Sequence, residues 1–437
     1  MTTKKTNGVD MTVFYFGASL LAFLALGTPI AYALIISGIV LMWQIGLFDG
    51  QIIAQNMLNA ANSFPMLAIP LFILAGEAMN AGGLSKRIIH LAQTLVGHRK
   101  GGLGYVVIFA GVLLSSLSGS ALADAASLSA LLLPMMINSG YNKPTSGGLI
   151  ASASIIGPII PPSIGFIVFG VSTNLSISKL FLAGIVPGIL IAISLCIAWN
   201  IIARNNDLEV QEPASWAERG KALIDSFWAL MLPIIILVGL RFGIMTPTEA
   251  AAVAAVYSII ISCLVYRELS LPQLSDIAFS AAKTSAGVMF LVAAAAIPAW
   301  MISIADIPGQ IISLIEPVMD HPKLLVAAVI IVILVIGTAM DLTPTILLLG
   351  PILVPIVTHA GVDPIYFGVI FMITGAIGLI TPPVGTVLNV VCAVGKLEFG
   401  ALARGVMPFL IAELIVLALM VIIPEIVLIP AAWFSGS

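Results

Sequence analysis

The chain has 437 residues, 60% of them hydrophobic and 8% charged, with a formal net charge of −3 at pH 7. Soluble domains carry roughly 25% charged residues, so this composition excludes a soluble globular protein and leaves no basic surplus for a nucleic-acid partner. Apolar runs of about 20 residues leave room for roughly ten bilayer-spanning helices, and they lack the apolar and polar alternation of barrel strands.

In chain order the apolar segments fall at 11–28, 29–48, 62–82, 102–142, 144–173, 178–203, 224–240, 246–266, 284–304, 324–360, 365–395 and 405–433. The stretch from Met11 runs on through Leu47 without a small-residue cleavage pattern, so the first span is expected to stay in the mature protein. Segments 83–101 and 267–283 mix charged and apolar residues and read as amphipathic helices along the membrane interface, with solvated linkers as the alternative. Residues 205–223 form the one long polar stretch between two apolar halves, expected as a cytoplasmic connector. With the N-terminus outside and two segments returning to their own side, 12 of the 17 Lys and Arg residues fall in the cytoplasm. Those left outside are Lys4, Lys5, Lys179, Arg241 and Lys323, and this bias favours an N-out orientation. The half that begins near Asp225 then starts inside, so the halves are inverted.

The halves also repeat one another. Pro134 precedes Pro161-Pro162 by the same interval that separates Pro355 from Pro382-Pro383, and each pair is followed closely by glycine, Gly165 or Gly385. A shift of 221 residues superposes 8 identities in 29 positions, Gly140 on Gly361, Gly147 on Gly368 and Gly157 on Gly378 among them. Paired interruptions at corresponding places in two apolar halves are the sequence mark of a secondary transporter's binding site. Segments 102–142 and 324–360 each carry one carboxylate near the middle, Asp124 and Asp341. Length and charge parity allow either paired spans or a re-entrant hairpin. The small and polar residues Ser118-Gly119-Ser120 and Gly337-Thr338 to Thr345 favour the hairpin, since irregular backbone at membrane depth needs a protein or water-filled surround. The expected domains are therefore a first inverted repeat, 1–204, with hairpin 102–142 and broken helix 144–173, and a second, 224–437, with hairpin 324–360 and broken helix 365–395.

Proline has no N–H and its ring obstructs the preceding turn, so each Pro-Pro break frees carbonyl oxygens. Those oxygens and nearby hydroxyls suit a dehydrated cation, while half-helix N-termini suit a carboxylate. Two roles are open to Asp124 and Asp341: capping the second hairpin arm through its first amides, or holding an ion. Ligation falls first to Ser118, Ser120, Thr343 and backbone oxygens. Glu77 and Asp306, near the ends of segments that share Ala-Ile-Pro, are assigned interfacial or structural roles. Glu249 reads as a first-turn acid behind Thr246-Pro247. Cys196, Cys263 and Cys392 sit singly in apolar runs, and His90, His98, His321 and His359 have no ligand-spaced partners. With no nucleophile elbow, phosphate loop or zinc-protease motif, no enzyme is expected.

These features together resemble the large membrane subunit of TRAP (tripartite ATP-independent periplasmic) transporters, a DctM-like family of the ion transporter superfamily. The resemblance covers nearly the whole chain. It is carried by Leu67-Ala68-Ile69-Pro70 through Glu77 with Asn80-Ala81-Gly82-Gly83, by Ser118 to Asp124, by Ile160-Pro161-Pro162-Ser163, by Thr246 to Ala252, and by Gly378 to Gly385. It implies an all-α polytopic elevator with scaffold and transport domains, in the bacterial inner membrane. It also implies co-transported sodium ions, a small four-helix membrane subunit, and a periplasmic substrate-binding protein that delivers an organic acid. Carried over by position, one sodium site would use Ser118, Ser120, Gly157 and Pro161, and the other Gly337, Met340, Thr381 and Val384. Substrate would lie between the tips, near Asp124, Ser163, Asp341, Thr343, Pro383 and Gly385. The second tip departs from the family pattern in the polar Thr343-Pro344-Thr345 and in Ile373-Thr374-Gly375, which replaces an Asn-containing stretch. A stand-alone sodium/dicarboxylate symporter is the runner-up, and an ion channel or a structural subunit of an enzyme complex the alternatives from another class.

Overall fold

A computed structural model describes residues 6–204 and 212–435; positions 205–211 of the expected connector lie outside the described residues. All regular structure among the described residues is helical. The first half holds α1 (Thr6–Ala25), α2 (Ile30–Ile45), α3 (Gly50–Ala61), α4 (Ala68–Ala81) and α5 (Leu84–Val96). It continues with α6 (Gly102–Ser118), α7 (Ala121–Asn138), α8 (Lys143–Ser154), α9 (Ile164–Thr173) and α10 (Ile177–Arg204). The second half opens with α11 (Trp216–Arg241), α12 (Pro247–Ile260) and α13 (Leu271–Ile304), then the short α14 (Ile307–Leu314) and α15 (Glu316–Met319). It ends with α16 (Pro322–Ala339), α17 (Leu342–His359), α18 (Pro364–Gly378), α19 (Thr386–Gly395), α20 (Phe399–Ile422) and α21 (Glu425–Ser435). Nine helices among the described residues are long and apolar enough to cross a membrane.

Local chemistry places the helix starts. Ser120, Asn142, Ser163 and Asp363 each cap the following helix by accepting a first-turn amide, and Thr246 with Glu249 forms a capping box that accounts for that acid. Each broken helix is two short rods, α8 and α9 or α18 and α19, joined through a Pro-Pro turn whose peptide bond is cis in both copies. Each is preceded by a hairpin, α6–α7 or α16–α17. If each hairpin returns to its own side, α1, α2, α4, the α8–α9 pair and α10 would make five crossings in the first half. An odd number would deliver the second half to the opposite side, the inverted arrangement expected from the sequence. The halves interlock: the second arm of one hairpin packs on the far rod of the other repeat, α7 on α19 and α17 on α9.

Several segment boundaries differ from the expectation: residues 216–223 of the expected connector are the first turns of α11, started by the Ser215–Glu218 capping box, and α3 and α14 lie where no apolar segment was expected. Segment 267–283 is not a separate interfacial helix but the first part of α13, whose 34 residues run unbroken from a start fixed by the Ser270–Gln273 capping box. Beyond Pro272, which sits in the tolerant first turn, no glycine or proline falls before Gly287, so the 3.6-residue repeat continues into the apolar run. The last apolar run, 405–433, divides at Pro424 into α20 and α21. Helix α5 is amphipathic as expected, but its apolar face, Leu84, Ile88, Ile89 and Leu91, is buried in protein against α6 and α11. Arg87 anchors it, paired with Glu268 at 2.5 Å and lying 3.9 Å from the Tyr266 ring centroid.

The interior is assembled through small residues, as expected where lipid supplies no hydrophobic drive between helices. Helices α8 and α20 cross so closely that a Cβ on Gly148 would overlap the backbone of Gly405 and Val406. The same crossing sets Gly405 against the Pro144 carbonyl. Gly148→Leu is therefore expected to cost about 3 kcal/mol or more, the overpacking being against backbone that no rotamer change relieves. A lowered melting temperature of the detergent-solubilised protein, relative to Gly220→Leu where the space is open, would show it.

Candidate functional site

At the first tip, α6 ends at Ser118, Gly119 turns through φ +60°, and Ser120 caps α7. The Ser118 hydroxyl donates to Asp124 Oδ1 at 2.5 Å and accepts from the Ser120 amide at 3.2 Å. Asp124 is 3% exposed, and its other oxygen, Oδ2, has no hydrogen-bond partner. That oxygen faces Gly157, where an added Cβ would stand 2.5 Å from it. Gly119 in turn abuts the second proline of the first break, its would-be Cβ being 2.8 Å from the Pro162 carbonyl oxygen. Thus Ser118, Ser120, Asp124 and Gly157 form one cluster. Pro161 is buried in the turn behind it.

The second tip repeats the design. The Gly385 amide donates to the Thr338 carbonyl at 3.0 Å, and Gly337 packs against Gly378, a Cβ on the former coming within 3.2 Å of the latter's Cα. Thr381 Oγ1 donates to the Ile377 carbonyl at 2.8 Å, which leaves its lone pairs free, and Met340 is partly buried at the tip. Gly337, Met340 and Thr381 therefore gather around tip and break, whereas the Val384 side chain is 39% exposed.

A cavity of about 330 Å³ joins the two tips to α4 and α13. Its tip wall is Ser118 to Asp124 and Asp341 to Thr343, with Pro158, Ile164, Gly165 and Leu379 from the breaks. Its other wall is α4, with Glu77 and Asn80, together with Ser85, Thr284 and Val288. The N-termini of α7, α9 and α17 all reach it, and each presents the positive end of a helix dipole. None of the lining residues is a lysine, arginine or histidine.

Three of the six residues expected around substrate, Asp124, Asp341 and Thr343, do line this cavity. The other three do not. Ser163 is fully buried with its hydroxyl spent, donating to the Pro158 carbonyl at 2.7 Å and accepting from the Phe166 amide at 3.3 Å. Pro383 is exposed and Gly385 is buried with its amide tied to the Thr338 carbonyl, and neither lines the cavity. Of the two carboxylates expected to cap, Asp341 does take the N-cap position of α17, without a side-chain cap bond, whereas Ser120 caps α7 and leaves Asp124 to the tip cluster.

Glu77, expected to be interfacial or structural, instead lines the cavity, its Oε1 accepting from Ser280 at 3.1 Å. Asp306 is exposed at the start of α14. Asn80 was named only within the family motif, and Ser127 and Thr284 of the cavity not at all. An ionisable residue inside an apolar helix was the available signal for Glu77; nothing in the sequence marks the neutral residues.

Comparison with known proteins gives a consistent family. A model of the DctM component of tripartite ATP-independent periplasmic transporters matches residues 18–426. The 2,3-diketo-L-gulonate TRAP transporter large permease protein YiaN of Escherichia coli is 49% identical over 425 residues, covering 97% of this chain and 100% of that one. The sialic acid large permease SiaM of Vibrio cholerae is 36% identical over 416 residues, 95% of this chain and 97% of its own. The C4-dicarboxylate large permease DctM of Pseudomonas aeruginosa is 36% identical over 385 residues, 88% and 90% of the two chains. In fold, the chain is similar to the YdaH transporter of Alcanivorax borkumensis, with a TM-score of 0.60 at 16% identity over 84% of this chain and 86% of that one.

Proposed function

The chain belongs to the DctM family, the large membrane component of tripartite ATP-independent periplasmic transporters, and from that premise we propose that it performs sodium-coupled uptake of an organic acid anion. It is a multi-span transport permease and not an enzyme, and its family works with a small membrane subunit and a periplasmic binding protein. The observation that carries the proposal is the cavity itself: three helix N-termini, hydroxyls and carboxylates, with no basic side chain. An anion can bind there only with its charge met by helix dipoles and by cations held beside it. The Asp124 cluster at the first tip and the Thr381 region at the second are the proposed sodium sites, each on its own hairpin.

In this reading the hairpins and broken helices move together as an elevator against a scaffold that includes α2, α4, α12 and α13, in the bacterial inner membrane with the N-terminus in the periplasm. That orientation puts Asn80 and Ser85 at the cytoplasmic end of α4, so the cavity described here opens inward. The test is uptake into proteoliposomes holding this chain with its small subunit, supplied with loaded binding protein. Uptake should collapse without a sodium gradient, and Ser118→Ala and Thr381→Ala should each slow it at least about tenfold, the effect of losing roughly 1.4 kcal/mol of ion binding. Gradient-independent uptake, unchanged in both variants, would refute sodium coupling. Uptake of free acid by this chain alone would favour a stand-alone symporter.

A further inference from the structure

The geometry points to Glu77 as the residue that sets the substrate class, selecting an organic monoanion with a hydroxylated tail over a dicarboxylate; this rests on the organic-acid reading above and deepens it. Three carboxylates line the cavity, Glu77, Asp124 and Asp341, and they are not equivalent. Asp124 and Asp341 belong to the hairpin tips, beside the helix N-termini and the proposed ion ligands. Asp124 turns its unpartnered oxygen away toward Gly157, where a cation would use it. Glu77 stands on the scaffold wall, partly exposed to the cavity, with Ser280 as its hydrogen-bonding neighbour.

The groups that flank Glu77 on that wall are neutral. Asn80 accepts from Ser85 at 2.9 Å and reaches Ser127 across the cavity edge at 3.4 Å, and Thr284 is exposed to the cavity. The two walls therefore ask for different ends of one molecule. A substrate carboxylate is met by the tips, where helix dipoles and sodium are available. Its far end meets a carboxylate ringed by amide and hydroxyl groups. A second carboxylate placed there would face Glu77 with no lining cation between them, and like-charge juxtaposition across a binding site is strongly unfavourable. Hydroxyls placed there donate charge-assisted hydrogen bonds to Glu77. A wall built to receive such donors also rejects analogues that lack them, because its own polar groups are then left unpaired.

The experiment measures binding by the nanodisc-embedded complex of this chain and its small subunit in sodium buffer, without binding protein, so that the cavity alone discriminates. Gluconate, succinate and hexanoate serve as the hydroxylated monoanion, the dianion and the plain monoanion. The wild type should bind gluconate at least about tenfold tighter than either other acid. Glu77→Gln should weaken gluconate and strengthen succinate, shifting their ratio by about tenfold or more. Glu77→Asp, which keeps the charge, should still exclude succinate. A wild-type preference for succinate, or an unchanged ratio in Glu77→Gln, overturns the assignment while leaving the organic-acid reading intact. Binding of none of the acids by the wild type overturns that reading, and the assignment with it.

Discussion

Asp124→Ala is expected to abolish sodium-driven uptake, lowering the initial rate about 100-fold or more, which corresponds to roughly 3 kcal/mol. Asp124 is 3% exposed, inside a membrane helix bundle, and only one of its two oxygens has a partner. Ionised and unpaired there, it would be costly to hold. The fold nevertheless directs the free oxygen at Gly157, the one residue type in the break that leaves room beside it. In the proposed site, a sodium ion between that oxygen, the tip hydroxyls and the freed carbonyls would remove the cost. Asp124→Asn separates charge from shape: it can still accept from Ser118, so the tip should stay folded while half-saturation by sodium rises by an order of magnitude. Uptake rates measured against sodium concentration decide the matter, and a wild-type sodium curve for the asparagine variant would remove Asp124 from the ion site.

Gly119→Val is expected to have an effect of similar size for a different reason. At φ +60° an L-residue is already strained by about 1–2 kcal/mol, and valine's branch raises that further. Its Cβ would lie 2.8 Å from the Pro162 carbonyl oxygen and 3.1 Å from the Ile164 amide nitrogen, both of them backbone. No rotamer relieves that contact, so the tip must lift from the Pro-Pro turn and separate the two halves of the proposed first ion site. Gly140→Ala is the control: its φ is +79° but nothing lies within 4 Å of the added carbon, so it should cost only about 1 kcal/mol. Uptake should therefore be lost in the first variant and retained in the second, with both proteins in the membrane at comparable amounts. Equal uptake by both would mean that contact between tip and turn is not needed for transport.

Much of the architecture could be read before any coordinates. The hairpins and broken helices follow from prolines, glycines and polar interruptions, which act through local backbone sterics and so leave their mark in neighbouring residues. The same holds for the Thr246–Glu249 cap. Reading was poorer where the deciding partner lay far along the chain. Ser163 and Asp124 are both polar residues beside an interruption, yet one is consumed as a helix cap and the other is left with a free oxygen. Pro383 sits in the right turn but is exposed and lines no part of the cavity, and Gly385 is taken up by the Thr338 carbonyl of the α16–α17 tip.

By itself, then, the sequence determined the membrane class, the family, the doubled hairpin and broken-helix plan, and the residues that bring each tip to its own Pro-Pro turn. These rest on composition, helix breaking and spacing, all of which are local or periodic properties. Only the tertiary structure decided what faces the tips. It set α4 and α13 across the cavity and turned Glu77 from an expected interfacial residue into part of the cavity wall. Glu77 is separated from Ser280 by some 200 residues of chain, and which side chains meet across such a distance depends on how whole helices pack, a property no single segment carries.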